Sequence, residues 1–376
     1  MLKLLIMGTR GIPANYSGFE TSVEETSTRF VKYDYDVTVI CRSSYYKNKL
    51  NNYNGVKLKY VPSIRTKHLD TVTSTLFSIF YIIINKYDIV ILYGIGNAFF
   101  LPILKFLGKK VISVVDGADW RRSKWNPFVM CVLFKARYIS VRYSDYYIVD
   151  NELLVLDYKK QFKKPPFYIP YGAKIPDYYN EDILNEFGLE KNKYIIFIGR
   201  FVKEKGIEFL IKNFIKIDTD VKLLIVGGNY NDKSYENKIK ELKHNSVIFA
   251  GFVFGDKCDS LLKFAKLYVS CSFLEGTSPS LLSAMAINGF ALVSDLPENL
   301  EVLKGSCSTF ITGNENDFIN KLSYLLSYDS EIETEREKTK SVIEKYYTWD
   351  RITEQYLTLF NKILNPRNKI MNKIAN

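Results

Sequence analysis

At 376 residues the chain is too long for one ordinary hydrophobic core, so two domains of similar size are expected. Hydrophobic residues make up 47% and charged residues 25%, a balance that excludes a disordered or fibrous chain. The net charge of +11 is one-sided, because residues 1–170 hold 25 Lys and Arg against 13 Asp and Glu while residues 171–376 hold 27 against 28. A basic first half suits an anionic partner such as a membrane surface or a lipid-linked phosphate, and scattered solvated lysines are the alternative. Nucleic acid is the least expected partner, since no helix-turn-helix, RNP signature or zinc-finger spacing is present.

In chain order, the opening run Met1-Leu2-Lys3-Leu4-Leu5-Ile6-Met7-Gly8 reads as a first buried strand. It has no small-residue cleavage pattern and does not resemble a signal peptide. Further strands are predicted at residues 36–41, 56–61, 89–93, 111–115, 147–149 and 167–169, with helical lengths between them. Residues 76–85 are strongly apolar but closed by Lys86 and Asp88, too short to span a bilayer. Lys163-Lys164-Pro165-Pro166 and Tyr171-Gly172-Ala173-Lys174-Ile175-Pro176 read as a linker. A second series follows at 194–198, 223–226, 247–250, 268–270 and 291–294. Short β-branched strands alternating with helices predict an α/β chain of two Rossmann-like, doubly wound parallel-sheet domains facing a cleft. The boundaries fall at 1–170 and 171–345, with a last helix at 346–376.

The five cysteines, Cys41, Cys131, Cys258, Cys271 and Cys307, are widely spaced and read as reduced packing residues. With only His68 and His244 in the chain, a Ser-His-Asp or histidine-metal site is disfavoured. Asp218-Thr219-Asp220 has the form of a metal-binding DxD, but it lies between a helix and the following strand, at the wrong edge of the sheet. No metal is expected.

Two blocks carry the chemistry. Gly199-Arg200-Phe201-Val202-Lys203-Glu204-Lys205-Gly206 and Glu275-Gly276-Thr277-Ser278-Pro279-Ser280 each follow an apolar strand and open a helix, the edge where open α/β sheets bind ligands. Arg200, Lys205 and a fresh helix N-terminus suit a diphosphate. Ser278 before Pro279 predicts an N-cap whose hydroxyl holds one free amide of the first turn, leaving Gly276, Thr277 and Ser278 around an anion. In the first half, the loop Gly8-Thr9-Arg10-Gly11 to Gly18-Phe19-Glu20-Thr21 sits where a dinucleotide fingerprint would lie, yet lacks its glycine spacing, and the second strand ends in Cys41-Arg42 with no carboxylate for a ribose. An NAD enzyme is therefore disfavoured. Gly18 is left as a second phosphate-side position, or as a residue serving only the turn.

These blocks make the chain similar, over nearly its whole length, to retaining glycosyltransferases of family 4 with the GT-B fold, a resemblance that implies a last helix, 346–376, crossing back to the first domain. Gly199-Arg200 with Lys205-Gly206 matches the family's diphosphate-binding pair, and Glu275 through Leu282 matches the start of its E-x7-E motif. Gly8-Thr9-Arg10-Gly11-Ile12-Pro13, Gly18-Phe19-Glu20-Thr21 and Asp116-Gly117-Ala118-Asp119-Trp120-Arg121-Arg122-Ser123-Lys124-Trp125 resemble a subgroup of bacterial capsule and surface-polysaccharide rhamnosyltransferases. The resemblance implies a nucleoside-diphosphate sugar as donor on the C-terminal half, with Arg200 and Lys205 on its phosphates and Glu275 near the sugar. It implies a lipid-linked or oligosaccharide acceptor on the N-terminal half, transfer with retention, no cofactor, and a cytoplasmic enzyme in peripheral contact with the membrane. Asp116 stands where many members carry a catalytic-side His or Asp. Glu20, Asp119, Trp120, Arg121 and Lys124 are expected on the acceptor side, the alternative for the residues around Trp120 being that they cap and pack the following helix, and Lys135, Arg137 and Arg142 are the candidates for a membrane-facing edge.

One departure stands out: the second Glu of E-x7-E falls at Ser283, where the family's carboxylate would grip the ribose. A deoxynucleotide donor would lose least from that change. Two other readings stay open, a non-catalytic GT-B binding protein of a polysaccharide assembly complex and a sugar-nucleotide epimerase.

Overall fold

The computed structural model describes residues 1–14, 18–66, 69–115, 127–229 and 233–365. The chain divides into two compact units, one of Met1–Tyr171 with the segment from Trp349 onward, the other Gly172–Thr348. The sequence places seven strands in the first half and five in the second. Among the described residues the structure has all of these and two more, each only two or three residues long.

The first unit holds an eight-stranded sheet of β1 (Leu2–Met7), β2 (Tyr35–Arg42), β3 (Asn52–Tyr53), β4 (Val56–Val61), β5 (Ile89–Tyr93), β6 (Lys110–Val114), β7 (Tyr146–Val149) and β8 (Phe167–Tyr168). Their order is β3-β4-β2-β1-β5-β6-β7-β8, and every pairing is parallel except the β3–β4 edge hairpin. β5 is buried along its whole length and β1 from Leu4 to Met7, as central strands covered on both faces must be. α2 (Leu69–Ile84), α3 (Leu101–Phe106), α4 (Pro127–Tyr143) and α5 (Glu152–Gln161) contribute Ile79, Ile82, Leu104, Leu133 and Tyr158 to a single core with the sheet residues Leu5, Val90 and Leu92. α1 (Gly18–Lys32) packs instead on the closing helix Trp349–Leu364 through Phe30, Tyr356 and Phe360, and Arg29 pairs with Asp350.

The second unit holds a six-stranded, all-parallel sheet of β9 (Tyr194–Ile198), β10 (Lys222–Val226), β11 (Val247–Gly251), β12 (Leu267–Ser270), β13 (Ala291–Ser294) and β14 (Ser308–Phe310), ordered β11-β10-β9-β12-β13-β14. The strand order reverses at β9. The crevice beyond the carboxyl ends of β9 and β12 is therefore the topological switch point of this sheet. No helix among the described residues is long and apolar enough to cross a membrane.

Candidate functional site

Both motif blocks of the second unit arrive at that switch point, and backbone contacts lock them together. After β9, the Gly199 amide donates to Val226 O (3.0 Å) and the Phe201 amide to Gly228 O (3.0 Å), so the loop keeps in step with the neighbouring strand. The chain then makes one tight turn, residues 203–205, and enters the helix Ile207–Phe214 through Gly206 at φ +63°. A Cβ on Gly206 would stand 1.9 Å from Cys271 O, so this close approach of two loops admits only glycine. A second tie runs from the Phe273 amide to Glu204 O at 2.8 Å.

This locking brings Lys205 to Glu275, seventy residues apart in sequence. The Lys205 ammonium pairs with Glu275 Oε1, the two side chains being 16% and 8% exposed. Ser272 donates to the same oxygen at 2.6 Å, Ser270 and Ser272 hydroxyls lie 3.1 Å apart, and Ser294 donates to Ser272 O at 2.7 Å. Glu275 Oε2 has no partner among the described residues. Arg200 is half-buried, and its guanidinium makes no hydrogen bond or ion pair among the described residues. The site thus offers an oriented carboxylate with one open oxygen and an uncommitted fork-shaped cation, the pair needed to hold hydroxyls and phosphate oxygens. Spacing in the sequence pointed to Lys205 and Glu275 but missed Ser272 and Ser294; the alternation of Ser270 and Ser272 just past a buried strand was the available signal.

The helix Pro279–Ile287 begins where expected, with Ser278 as N-cap and Pro279 first. The cap itself differs from expectation. Ser278 makes no side-chain bond to the helix backbone; its hydroxyl lies 3.2 Å from that of Ser280, which also receives the Tyr268 hydroxyl. Burial pushes the Tyr268 phenol above its ordinary value, keeping it a neutral donor. Gly276 is in the same loop, Thr277 is buried in it, and Ser283 sits half-buried on this helix.

In the first unit, Glu20 is 3% exposed and accepts the Arg10 amide at 2.9 Å, so it holds the loop after β1. Gly18 is the first residue of α1. Arg42 pairs with Asp70 at 2.6 Å and donates to Gly8 O at 3.0 Å. Burial opposes the charge on Asp70, but Arg42 and the hydroxyls of Ser63 and Tyr45 outweigh it and hold the carboxyl below its ordinary value. The Tyr45 ring carries the guanidinium groups of Arg10 and Arg65, 4.3 and 4.8 Å from its centroid, a cation–aromatic cluster that sequence reasoning missed because its members lie on three separate segments. Asp116, Asp119, Trp120, Arg121 and Lys124 lie outside the described residues.

One expectation is overturned. Arg137 is 1% exposed, pairs with Asp157 at 2.9 Å and lies 4.7 Å over the Tyr158 ring and 4.9 Å over Phe134, so it cannot face a membrane. Its aromatic shell comes largely from α5, out of reach of any local reading. Lys135 and Arg142 on the same helix are exposed. Of the cysteines, Cys41 and Cys271 are buried, Cys258 and Cys307 half-buried and Cys131 exposed, and all are free thiols. Asp220 pairs with Lys193 at 3.2 Å just before β10, at the amino end of that strand.

Over 97% of its length the chain superimposes on sucrose-phosphate synthase from Thermosynechococcus elongatus, with a TM-score of 0.83 and 15% identity, covering all of that chain. It superimposes likewise on Anabaena HepE in complex with UDP-glucose, with a TM-score of 0.79, 12% identity, and 96% of this chain covering all of that one. The fold is GT-B. Residues 180–346 match the family model of glycosyl transferases group 1, and residues 1–174 match a domain of unknown function, DUF1972. An uncharacterized glycosyltransferase of Methanocaldococcus jannaschii is 28% identical over 184 residues, 46% of this chain and 47% of that protein. The chain spans about half the length of the curated relatives it matches.

Proposed function

We propose that this protein is a retaining glycosyltransferase of family 4 that moves a sugar from a nucleoside diphosphate to a lipid-linked or growing surface polysaccharide. The observation that carries the reading is the Lys205–Glu275 pair at the switch point of the second sheet, with an uncommitted Arg200 in the same loop as Lys205. Arg200 and Lys205 would take the diphosphate, and the open oxygen of Glu275 a sugar hydroxyl. Lys205 would be shared between Glu275 and a phosphate. The departing diphosphate would help deprotonate the acceptor hydroxyl, so no protein nucleophile or metal is required, and stabilising the departing charge is the main task. The N-terminal unit would hold the acceptor, with Asp116 among its polar groups, and the protein would work at the cytoplasmic face of the membrane.

Ser283 bears on the donor. It is shorter than the glutamate of the family motif and reaches the ribose less well, which favours a deoxythymidine donor and, with the subgroup likeness of the first half, rhamnose as the sugar. The same substitution favours one competing reading, a binding protein that has lost its donor site.

The test is thermal stabilisation of the whole protein by dTDP-, UDP- and GDP-sugars, with and without magnesium. A selective rise in Tm with one nucleotide, unchanged by the metal, is expected. No rise with any of them in a folded sample would favour the binding protein. Equal affinity for ribo- and deoxyribonucleotides would remove the argument from Ser283.

A further inference from the structure

α2 is turned inside out compared with an ordinary surface helix. Its buried face carries Asp70, Ser74, Thr75 and Ser78 alongside Ile79 and Ile82. Most of these polar groups bond within the unit: Ser74 and Thr75 donate to Thr71 O, Ser78 donates to Ser74 O, and Asp70 Oδ2 accepts from Arg42 and Tyr45. Its solvent face carries Leu69, Val72, Leu76, Phe77, Phe80 and Ile83, all exposed, and Ile84 follows at 80% exposure. At 100° per residue these positions fall within one continuous stripe.

The stripe continues onto the neighbouring elements. Residues 95–100 pack against α2, α3 and α4, and α3 also packs on α4, so the three helices form one layer. On α3, Ile103 is exposed and Phe106 is 90% exposed; on α4, Phe128, Phe134 and Tyr138 are exposed. An apolar surface of this extent on a single chain marks a docking site. The exposed charges carried by the three helices are of one sign. α2, α3 and α4 contain a single carboxylate, Asp70, and that one is buried against Arg42, whereas Lys105, Lys135 and Arg142 are exposed. Lys105 pairs with Asp145 just beyond α4, while Lys135 and Arg142 have no ion-pair partner among the described residues.

We propose that the outer face of α2, α3 and α4 lies on an anionic lipid bilayer, with its aliphatic and aromatic side chains entering the headgroup boundary and Lys135 and Arg142 on the lipid phosphates. Apolar side chains flanked by the unpaired cations Lys135 and Arg142 are complementary to such a surface. A second copy would set the unpaired Lys135 and Arg142 of one chain against those of the other. The inference rests on the reading of a lipid-linked acceptor for its purpose, and on the helix faces alone for its geometry.

The test is co-sedimentation of the full chain with vesicles of phosphatidylcholine alone and of phosphatidylcholine mixed with phosphatidylglycerol. The variants are Phe80→Ser/Ile84→Ser/Phe106→Ser and Lys135→Gln/Arg142→Gln. All five side chains are exposed, so melting temperatures are expected to stay near that of the parent. The parent protein is expected to bind the anionic vesicles, the first variant to lose at least about tenfold in partition, and the second to lose the preference for anionic lipid. Three results would overturn the proposal: no binding by the parent protein, undiminished binding by the first variant, or a dimer in solution that the first variant disperses. Donor-induced stabilisation, measured on the same samples, separates the two readings. Vesicle binding without any donor response sinks the transferase and leaves the surface, and the converse sinks the surface alone.

Discussion

Replacing Glu275 with Gln keeps the shape of the side chain but leaves the Lys205 ammonium without its counter-charge in a site where both are largely buried. The open oxygen of Glu275 also loses its charge. Transfer activity is expected to fall by about 10²- to 10³-fold in kcat/KM, with nucleotide binding retained, as measured by initial rates and thermal shift on the same sample. Gly206 makes a different demand. Its φ of +63° and the 1.9 Å approach of a built Cβ to Cys271 O leave Gly206→Ala no relaxed conformation. That change is expected to cost about 2 kcal/mol or more, read as a lower urea midpoint with an unchanged slope. Both residues were legible in the sequence, because a glycine after a basic turn and a glutamate before a helix are local patterns. What they do to each other was not. It depends on the Phe273–Glu204 and Gly206–Cys271 approaches, which join segments far apart in sequence.

At the scale of elements, the helix Lys233–Lys240 shows how a surface piece is tied down. Its Glu236 side chain is 7% exposed and accepts from Lys233 (2.8 Å), Lys240 (2.7 Å) and the Asn229 amide (3.2 Å). Burial alone would raise its pKa, but these donors prevail and bring it from 4.5 down to about 2. A carboxylate depressed in this way contributes stability that is complete above its unfolded value of 4.5 and is lost as pH falls towards 2. Glu236→Gln is therefore expected to be less stable than the parent at neutral pH, and the gap should close between pH 4.5 and 2, as followed by urea melts across that range. The long parallel strands were legible because each is a short, continuous apolar run. β3 and β14 were not, since two or three edge residues carry no period. α2 was legible as apolar but not as inverted, because hydrophobicity along a sequence does not say which face of a helix meets the sheet. Arg137 misled for a related reason: a cation on an exposed-looking helix is buried by aromatic rings that arrive from α5.

For the molecule as a whole, the sequence gives two sheets and the structure adds how the chain is threaded through them. The first unit is discontinuous, built from Met1–Tyr171 and the segment from Trp349 onward, and the second is a single stretch, Gly172–Thr348. The two ends of that stretch meet: Ala173 bridges to Thr348 in parallel, and its amide donates to Tyr347 O at 2.6 Å. With its own core of Phe197, Ile207, Leu223, Val269 and Leu292, the polypeptide 172–348 is expected to fold alone, with one cooperative urea transition and a far-ultraviolet spectrum of mixed helix and strand. A non-cooperative transition would show that it depends on the rest of the chain. An insert whose ends lie side by side is also a module that recombination can lift out and replace without cutting any strand of its host. A single crossover pair at residues 172 and 348 therefore exchanges one whole core and leaves the other intact, so variants of this chain can arise by exchange of whole cassettes as well as by point substitution.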